Sequence, residues 1–267
     1  MELGLRDQLV LVTGSTEGIG HAIAESFLKA GAVVIINGRT KQKVEDAVKA
    51  LKGTHGDKVL GCTADVTSEE GVASVSEFIT GTGKPLQVLV NNVGIYSSKN
   101  FFECDVSQWK HMFDVNVFSM VRLTQVFLKG MLERNSGRVI NIASEAALRP
   151  LADMIHYSTS KTAVVGLSRG VAELTRGTRV TVNSVLVGTT MTPGVKEYVT
   201  KMAEKEGVSF DEMSGRFFSE FDRAFSLLQR FINPDEIGSV CVFLGSTAAS
   251  CINGASIRAE GGLLGHI

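Results

Sequence analysis

Short apolar, β-branched runs alternate along this chain with longer stretches in which apolar residues recur every three to four positions. Residues 9–13, 33–37, 58–63, 86–91, 138–143 and 179–185 read as strands, and the amphipathic segments between them as helices. That alternation predicts βαβ units, whose right-handed crossovers set the strands parallel in one sheet with helices on both faces. The expected fold class is α/β, a single doubly wound parallel sheet, with ligands at the carboxyl edge of the strands. No proline- or glycine-rich linker and no internal repeat divides the sequence, so residues 1–267 are expected to form one domain. The pattern breaks between about residues 188 and 233, where charged and Phe-rich stretches form an insertion.

Residues 109–135 predict one long helix whose apolar side chains, from Met112 and Phe113 to Met131 and Leu132, cover well over half its circumference. A single sheet face does not hide so much, so the second side is expected to meet a partner subunit across a two-fold axis, in a homodimer or homotetramer. Burial under the insertion is the alternative.

Charge then narrows the partners. Lys+Arg 27 against Asp+Glu 28 leave a net charge of −1, which gives no basic field for nucleic acid or anionic lipid and favours small-molecule partners. Cys62, Cys104, Cys241 and Cys251 stand far apart, without disulfide or zinc spacing, so no metal is expected and reduced thiols are the default. The sequence opens without a charged leader or long apolar run, which predicts a cytoplasmic protein with no membrane anchor.

The first strand runs into Thr13-Gly14-Ser15-Thr16-Glu17-Gly18-Ile19-Gly20 and then a helix. Glycines let the backbone turn tightly against phosphate oxygens, and the helix start aims free N–H groups at them, so a dinucleotide of the Rossmann kind fits. The second strand ends without a carboxylate, at Asn37-Gly38-Arg39. Arg39 offers a planar fork to a 2′-phosphate, favouring NADP(H), with NAD(H) as the alternative because Glu17 lies on the same side. Asp65, with Val66, closes the third strand; its carboxylate suits an adenine amino group or a cap for the helix near Ser68.

Tyr157 and Lys161 lie four residues apart at the start of a helical segment, on one face. A nearby ammonium favours the phenolate and brings a phenol from its usual pKa of about 10 toward neutral pH, where it exchanges protons usefully. Ser144 ends the fifth strand at the same edge and can hydrogen-bond a carbonyl. Asn116 is an amide in an apolar stretch; it either braces the fold or holds a water.

In these motifs, in this order and over essentially its full length, the chain resembles the short-chain dehydrogenase/reductase family, in its compact single-domain branch. The resemblance rests on Thr13–Gly20, Asn91-Asn92-Val93-Gly94, Asn116, Ser144 and Tyr157-x-x-x-Lys161. It implies hydride transfer between NADP(H) and a carbonyl or secondary alcohol. Tyr157 would be the general acid/base, Ser144 would orient the substrate, Lys161 would lower the tyrosine pKa and bind ribose, and Asn116 would hold a relay water. Cofactor contacts carry over to Gly14, Ser15, Thr16, Gly18, Ile19, Gly20, Asp65, Val66, Asn92, Val93 and Gly94, and at the insertion's start to Val187, Gly188, Thr190 and Thr192. Val93 stands for a usual alanine and Val187 for a usual proline, which frees the backbone where the insertion begins. Glu145, also unusual, either meets a polar substrate group or faces solvent. Phe210, Phe217, Phe218, Phe221, Phe225 and Phe231 make the insertion either a mobile lid over a bulky, largely apolar ketone or alcohol, or a small helical core or subunit contact. A nucleotide-sugar epimerase would carry different glycine spacing and a larger C-terminal domain, and a silent dinucleotide sensor would have lost the tyrosine or lysine.

Overall fold

The β-branched runs pair side by side, all parallel, because each is followed by a helix that carries the chain back across the sheet. The computed structural model describes residues 3–220 and 224–265. Its first half runs β1 (Leu9–Val12), α1 (Gly18–Lys29), β2 (Val33–Gly38), α2 (Lys41–His55), β3 (Val59–Thr63), α3 (Glu69–Gly81) and β4 (Leu86–Asn91). There follow α4 (Val106–Phe113), α5 (Ser119–Glu133), β5 (Gly137–Ser144), α6 (Ile155–Glu173) and β6 (Val180–Val187). The last part holds α7 (Pro193–Glu206), α8 (Phe210–Ser219), α9 (Pro234–Gly245) and β7 (Ser256–Ala259). The sheet order is β3-β2-β1-β4-β5-β6-β7. The chain therefore turns from one side of β1 to the other between β3 and β4, which opens a crevice at the carboxyl ends of β1 and β4.

Period-two alternation sorts β1 between two cores. Val10 and Val12 join Phe27, Ile36, Val90 and Ile237 on one face, while Leu9 and Leu11 join Ile35, Leu89, Leu123 and Met131 on the other. Both faces are apolar because helices cover both. Helices α1 and α9 approach closely through glycine: a Cβ on Gly238 would lie 2.2 Å from Ser26 Oγ, and one on Gly245 2.8 Å from the Phe27 ring. Phe27 is fully buried there, so truncating it to alanine is expected to cost about 3–5 kcal/mol.

Three local details differ from expectation. β7 was not foreseen in the pattern, because Ser-Ile-Arg-Ala is short and half-exposed at the sheet edge. The helix expected over 109–135 begins at Val106, behind an Asp105–Gln108 capping box, and is broken by a π turn over Asp114–Phe118 that carries the buried Asn116. Such a turn inserts a residue into the helix and re-aims its side chains. Finally, the cap of α3 is Ser68, which accepts from Gly71 N at 3.0 Å, and not Asp65.

On α5 and its approach, Phe118 and Val126 stay exposed, so the segment after β6 does not cover that side. Helices α7 and α8 instead pack on each other around Val199, Ala203, Met213, Phe218 and Phe231, with the Phe218 and Phe231 rings 4.9 Å apart. Phe221 lies outside the described residues.

Candidate functional site

The glycine turn after β1 is shaped by three different demands. Gly14 and Gly18 have φ of 61° and 62°, the left-handed region that side chains disfavour. Gly20 is needed for space, since a Cβ there would lie 2.3 Å from Gly14 O and 2.5 Å from Asn92 Nδ2. The first-turn N–H groups of α1, at Gly18, Ile19 and Gly20, lack partners within the helix and face the crevice edge. Two expected contacts are committed elsewhere. Ser15 is fully buried; its hydroxyl donates to Val12 O (2.7 Å) and accepts from Asn37 N (2.9 Å), and its own N–H donates to Asn37 O. Asn92 donates both amide protons, to Thr13 O (2.9 Å) and Gly14 O (3.1 Å), and so holds the turn from behind. Thr13, which carried no signal beyond the motif, ties Asn92 N and Val93 N to β1 through its hydroxyl.

At the far end of this groove Thr16 packs under Gly38, where a Cβ would meet its methyl at 2.7 Å. Arg39 and Asp65 face the same space. Partial burial pushes the Asp65 carboxyl up, but the Thr67 hydroxyl (2.7 Å), the Thr67 N–H (3.0 Å) and the Arg39 charge outweigh it and hold the group below its ordinary value. Val66 is buried beside it. Glu17, which argues against a phosphate, pairs with Lys43 at 3.4 Å, a residue that sequence reasoning missed because nothing in its local pattern separates it from a solvated surface lysine.

The second half of the site lies between β4, β5 and α6. Lys161 is 4% exposed, and its Nζ donates to Ile142 O at 2.9 Å and lies 5.8 Å from the Tyr157 ring centroid. Burial pushes the ammonium down to about 8, so it remains mostly charged at neutral pH. A Cβ on Gly94 would lie 3.3 Å from that Nζ and 3.4 Å from Asn116 Oδ1, so the loop passes close beside both. Asn116 braces the fold: Oδ1 accepts from Ile95 N (2.8 Å), and Nδ2 donates to Ile95 O (3.0 Å) and Ser160 Oγ (2.9 Å). The π turn brings it to face the loop after β4. His156 anchors the same loop, bonding Ser97 Oγ through Nε2 at 2.9 Å, and burial pushes its imidazole down.

Ser144 and Tyr157 open on one cleft of ≈ 850 Å³. Ser144 donates to Glu145 Oε2 at 2.7 Å, and Glu145 is buried rather than solvent-facing. Val187 stays paired in β6 between Ser144 and Ala259, so the chain is not loosened there. Gly188 follows against Glu260, whose Cα a Cβ would meet at 2.7 Å. Thr190 is buried with its hydroxyl on Gly188 O, and Thr192 caps α7 and approaches Gly18 across the groove. The roof of the cleft is mainly apolar, from Val195, Met202, Phe217 and Phe225 with Glu220 at its end, and its floor carries the polar Ser144, Glu145 and Tyr157 beside Leu151 and Met154. Tyr96 and Tyr198 stand at its rim, two residues the spacing arguments had no means of finding.

A family model described as short chain dehydrogenase matches residues 8–203. The chain is 45% identical over 264 residues to the uncharacterized oxidoreductase YvrD of Bacillus subtilis, covering 99% of each. It is 32% identical to the 3-oxoacyl-acyl-carrier-protein reductase FabG of Aquifex aeolicus, over 98% of this chain and 100% of the other. Its structure is similar to that of L-sorbose reductase from Gluconobacter frateurii in complex with NADPH and L-sorbose, with TM-score 0.94, 29% identity and 100% of both chains covered. The chain therefore belongs to the short-chain dehydrogenase/reductase family, oxidoreductases that use NAD(P)(H) on hydroxyl and keto groups.

Proposed function

We propose that the protein transfers hydride between NADP(H), in preference to NAD(H), and a small-molecule ketone or secondary alcohol, with Tyr157 as general acid/base. The observation that carries this reading is the buried Lys161 ammonium beside the Tyr157 ring, behind a cleft that Tyr157 shares with Ser144.

A dinucleotide suits the groove because left-handed Gly14 and Gly18 and the close packing of Gly20 on Gly14 O form a tight turn that leaves the first N–H groups of α1 for phosphate oxygens. Gly18, Ile19 and Gly20 hold the pyrophosphate, with Thr16 at the turn. Arg39 reads the 2′-phosphate, and Lys43 offsets Glu17 on that side. Asp65 and Val66 meet adenine. Val93 and Gly94 meet the ribose end together with Tyr157 and Lys161, while Val187, Gly188, Thr190 and Thr192 border the nicotinamide. Ser15 and Asn92 act from behind by holding the turn. The likeness to an NADPH-bound sorbose reductase supports the same cofactor and a carbonyl compound of that size.

When bound, the reduced nicotinamide would supply hydride to the carbonyl carbon, and its oxidised form would accept it in the reverse direction. Ser144 orients the carbonyl oxygen, and Tyr157 donates its phenolic proton to it; alcohol oxidation runs the proton the other way. Lys161 lowers the cost of the phenolate, and Asn116 keeps the loop after β4 seated beside it, placing any relay water. Helices α7 and α8, within the insertion at about 188–233 of one domain spanning 1–267, serve as a lid that excludes water. Exposed Phe118 and Val126 support a homodimer or homotetramer, checked by sedimentation against Phe118→Ser. Among the described residues no helix is long and apolar enough to cross a membrane; a cytoplasmic site of action is part of the same reading.

The test is a panel of ketones and alcohols assayed with both nicotinamides at the reduced cofactor's absorbance. Turnover with NADPH of at least one ketone is expected; tight NADPH binding with no turnover across the panel would favour a silent sensor.

A further inference from the structure

The cleft is lopsided about Tyr157. On one side stands the loop after β4, which is stapled in place. Asn116 pairs with both backbone groups of Ile95, and Ser97 Oγ meets His156 Nε2 at 2.9 Å. Ser98 Oγ donates to Asp153 Oδ2 at 2.6 Å, and Lys99 N donates to Asp153 O at 2.7 Å. The backbone on either side of Tyr96 is thereby fixed, and the Asp153 carboxylate is engaged within this wall.

Tyr96 projects from the wall toward the roof. Its ring meets the Tyr157 ring edge to face, with centroids 6.4 Å apart and planes at 71°. Its hydroxyl lies 3.5 Å from where a Cβ on Gly194 would stand. The side chain therefore reaches from the acid/base tyrosine to the first turn of α7, and although 61% exposed it bounds the cleft at that end.

On the other side the cleft runs along α7. Val195, Tyr198 and Met202 line it at i, i+3 and i+7, a stripe about 10 Å long at 1.5 Å per residue, and Phe217 of α8 extends it. The stripe begins beside Gly194, where the Tyr96 hydroxyl stands, and leads away from it. One end of the cleft is thus short and closed by a ring, and the other is long and mainly apolar.

We propose that Tyr96 is a specificity-determining residue that closes the short end, so that a ketone engaging Tyr157 keeps a small group beside Tyr96 and lays its larger apolar group along α7. The substrates so selected are apolar methyl ketones, or the corresponding 2-alcohols in the reverse direction, over ketones with a chain on both sides. The inference rests on Tyr157 being the residue that engages the carbonyl oxygen. Hydride goes to the carbonyl carbon and the Tyr157 proton to its oxygen; Tyr96 takes no part in bond making and acts by shape. A second chain would have to displace a ring that stands between Tyr157 and α7.

The test compares kcat/KM for the isomers heptan-2-one and heptan-4-one in the wild type, Tyr96→Ala and Tyr96→Phe. Intrinsic reactivity cancels when the 2-one to 4-one ratio of each variant is divided by that of the wild type. The wild type is expected to prefer heptan-2-one, and the ratio to fall at least about tenfold in Tyr96→Ala, the scale on which a pocket discriminates single methylenes. Tyr96→Phe keeps the ring and is expected to hold the ratio within about twofold. Should Tyr96→Ala fail to fold, Tyr96→Val carries the same comparison. Calorimetric binding of heptan-2-ol against heptan-4-ol supplies a readout apart from turnover, with the 2-alcohol tighter in the wild type and the difference closed in Tyr96→Ala. A ratio unchanged within twofold in Tyr96→Ala, an equal fall in Tyr96→Phe, or reduction of other ketones but of neither heptanone overturns the role of Tyr96 and leaves the reductase reading intact. A wild type that reduces no ketone overturns that reading, and this inference with it.

Discussion

The floor and the roof of the cleft are built differently. On the floor, side chains come from β5, α6 and the π turn before α5, and they are buried and committed: Lys161 to Ile142 O, Asn116 to Ile95 and Ser160, Ser144 to Glu145. The roof, α7 and α8, rests on a small aromatic core of its own and offers mainly apolar surface, continued past α8 by Phe225, exposed beneath the Arg149 guanidinium at 5.0 Å. Fixed polar geometry suits proton transfer, which loses rate with small misplacements. A separately packed apolar cover suits the choice of substrate, because it can change without disturbing the sheet. The prediction from this contrast is that floor substitutions act on rate and roof substitutions on substrate affinity.

The largest effect should come from the floor. Tyr157→Phe is expected to lower kcat by about 10²–10⁴-fold, the range of one acid/base group, with NADPH affinity held within a few-fold by fluorescence titration. Retention of most of the rate would remove Tyr157 from its role. Lys161 comes next, through stability. Its folded value of about 8 lies below the ordinary 10.5, so between these pH values the unfolded chain binds a proton that the folded chain has released. The Lys161 contribution to stability is then lowest below pH 8 and rises toward pH 10.5, by on the order of 3 kcal/mol. The buried thiols of Cys62 and Cys241, pushed up to about 11 and about 12, act in the opposite direction above pH 9. Urea denaturation across that window should show the Lys161 term as the difference between the wild type and Lys161→Met, growing from pH 8 to 10.5.

Arg39→Ala, in the cofactor groove, should weaken NADPH by about tenfold or more while NADH changes little, as measured by equilibrium binding. Equal losses would mean that Arg39 does not read a 2′-phosphate. On the roof, Phe225→Ala should raise KM for bulky ketones severalfold with kcat preserved; a fall in kcat alone would erase the distinction between roof and floor. The smallest change is Lys43→Ala, whose exposed pair with Glu17 contributes at most about 1 kcal/mol to stability.

Much of the floor was legible in the sequence, because its signals are local. Strands β1 to β6 follow β-branched runs, Gly14 and Gly18 mark a turn only glycine makes easily, and Tyr157 and Lys161 share a face at helical spacing. What escaped depends on distant partners. Ser15 and Asn92 resemble cofactor contacts until the structure shows their hydrogen bonds spent on Val12, Thr13 and Gly14. The π turn has no signature except a polar Asn116 in an apolar run, and β7 is too short and polar to stand out. Glu145 read equally well as solvent-facing, since burial of a carboxylate is a property of the assembled cleft. The roof's phenylalanines were visible, but their division was not: Phe218 and Phe231 fill a core, Phe217 packs on that core while also lining the cleft, and Phe225 lines only the cleft.

The central claim is that the buried Lys161 ammonium makes the Tyr157 phenol a usable acid. Titrating ring-labelled tyrosine by NMR, with Tyr157 assigned through Tyr157→Phe, measures this directly in the wild type and in Lys161→Met. The phenol is predicted to titrate at lower pH with the ammonium in place than without it. The same titration midpoint in both proteins would contradict the account.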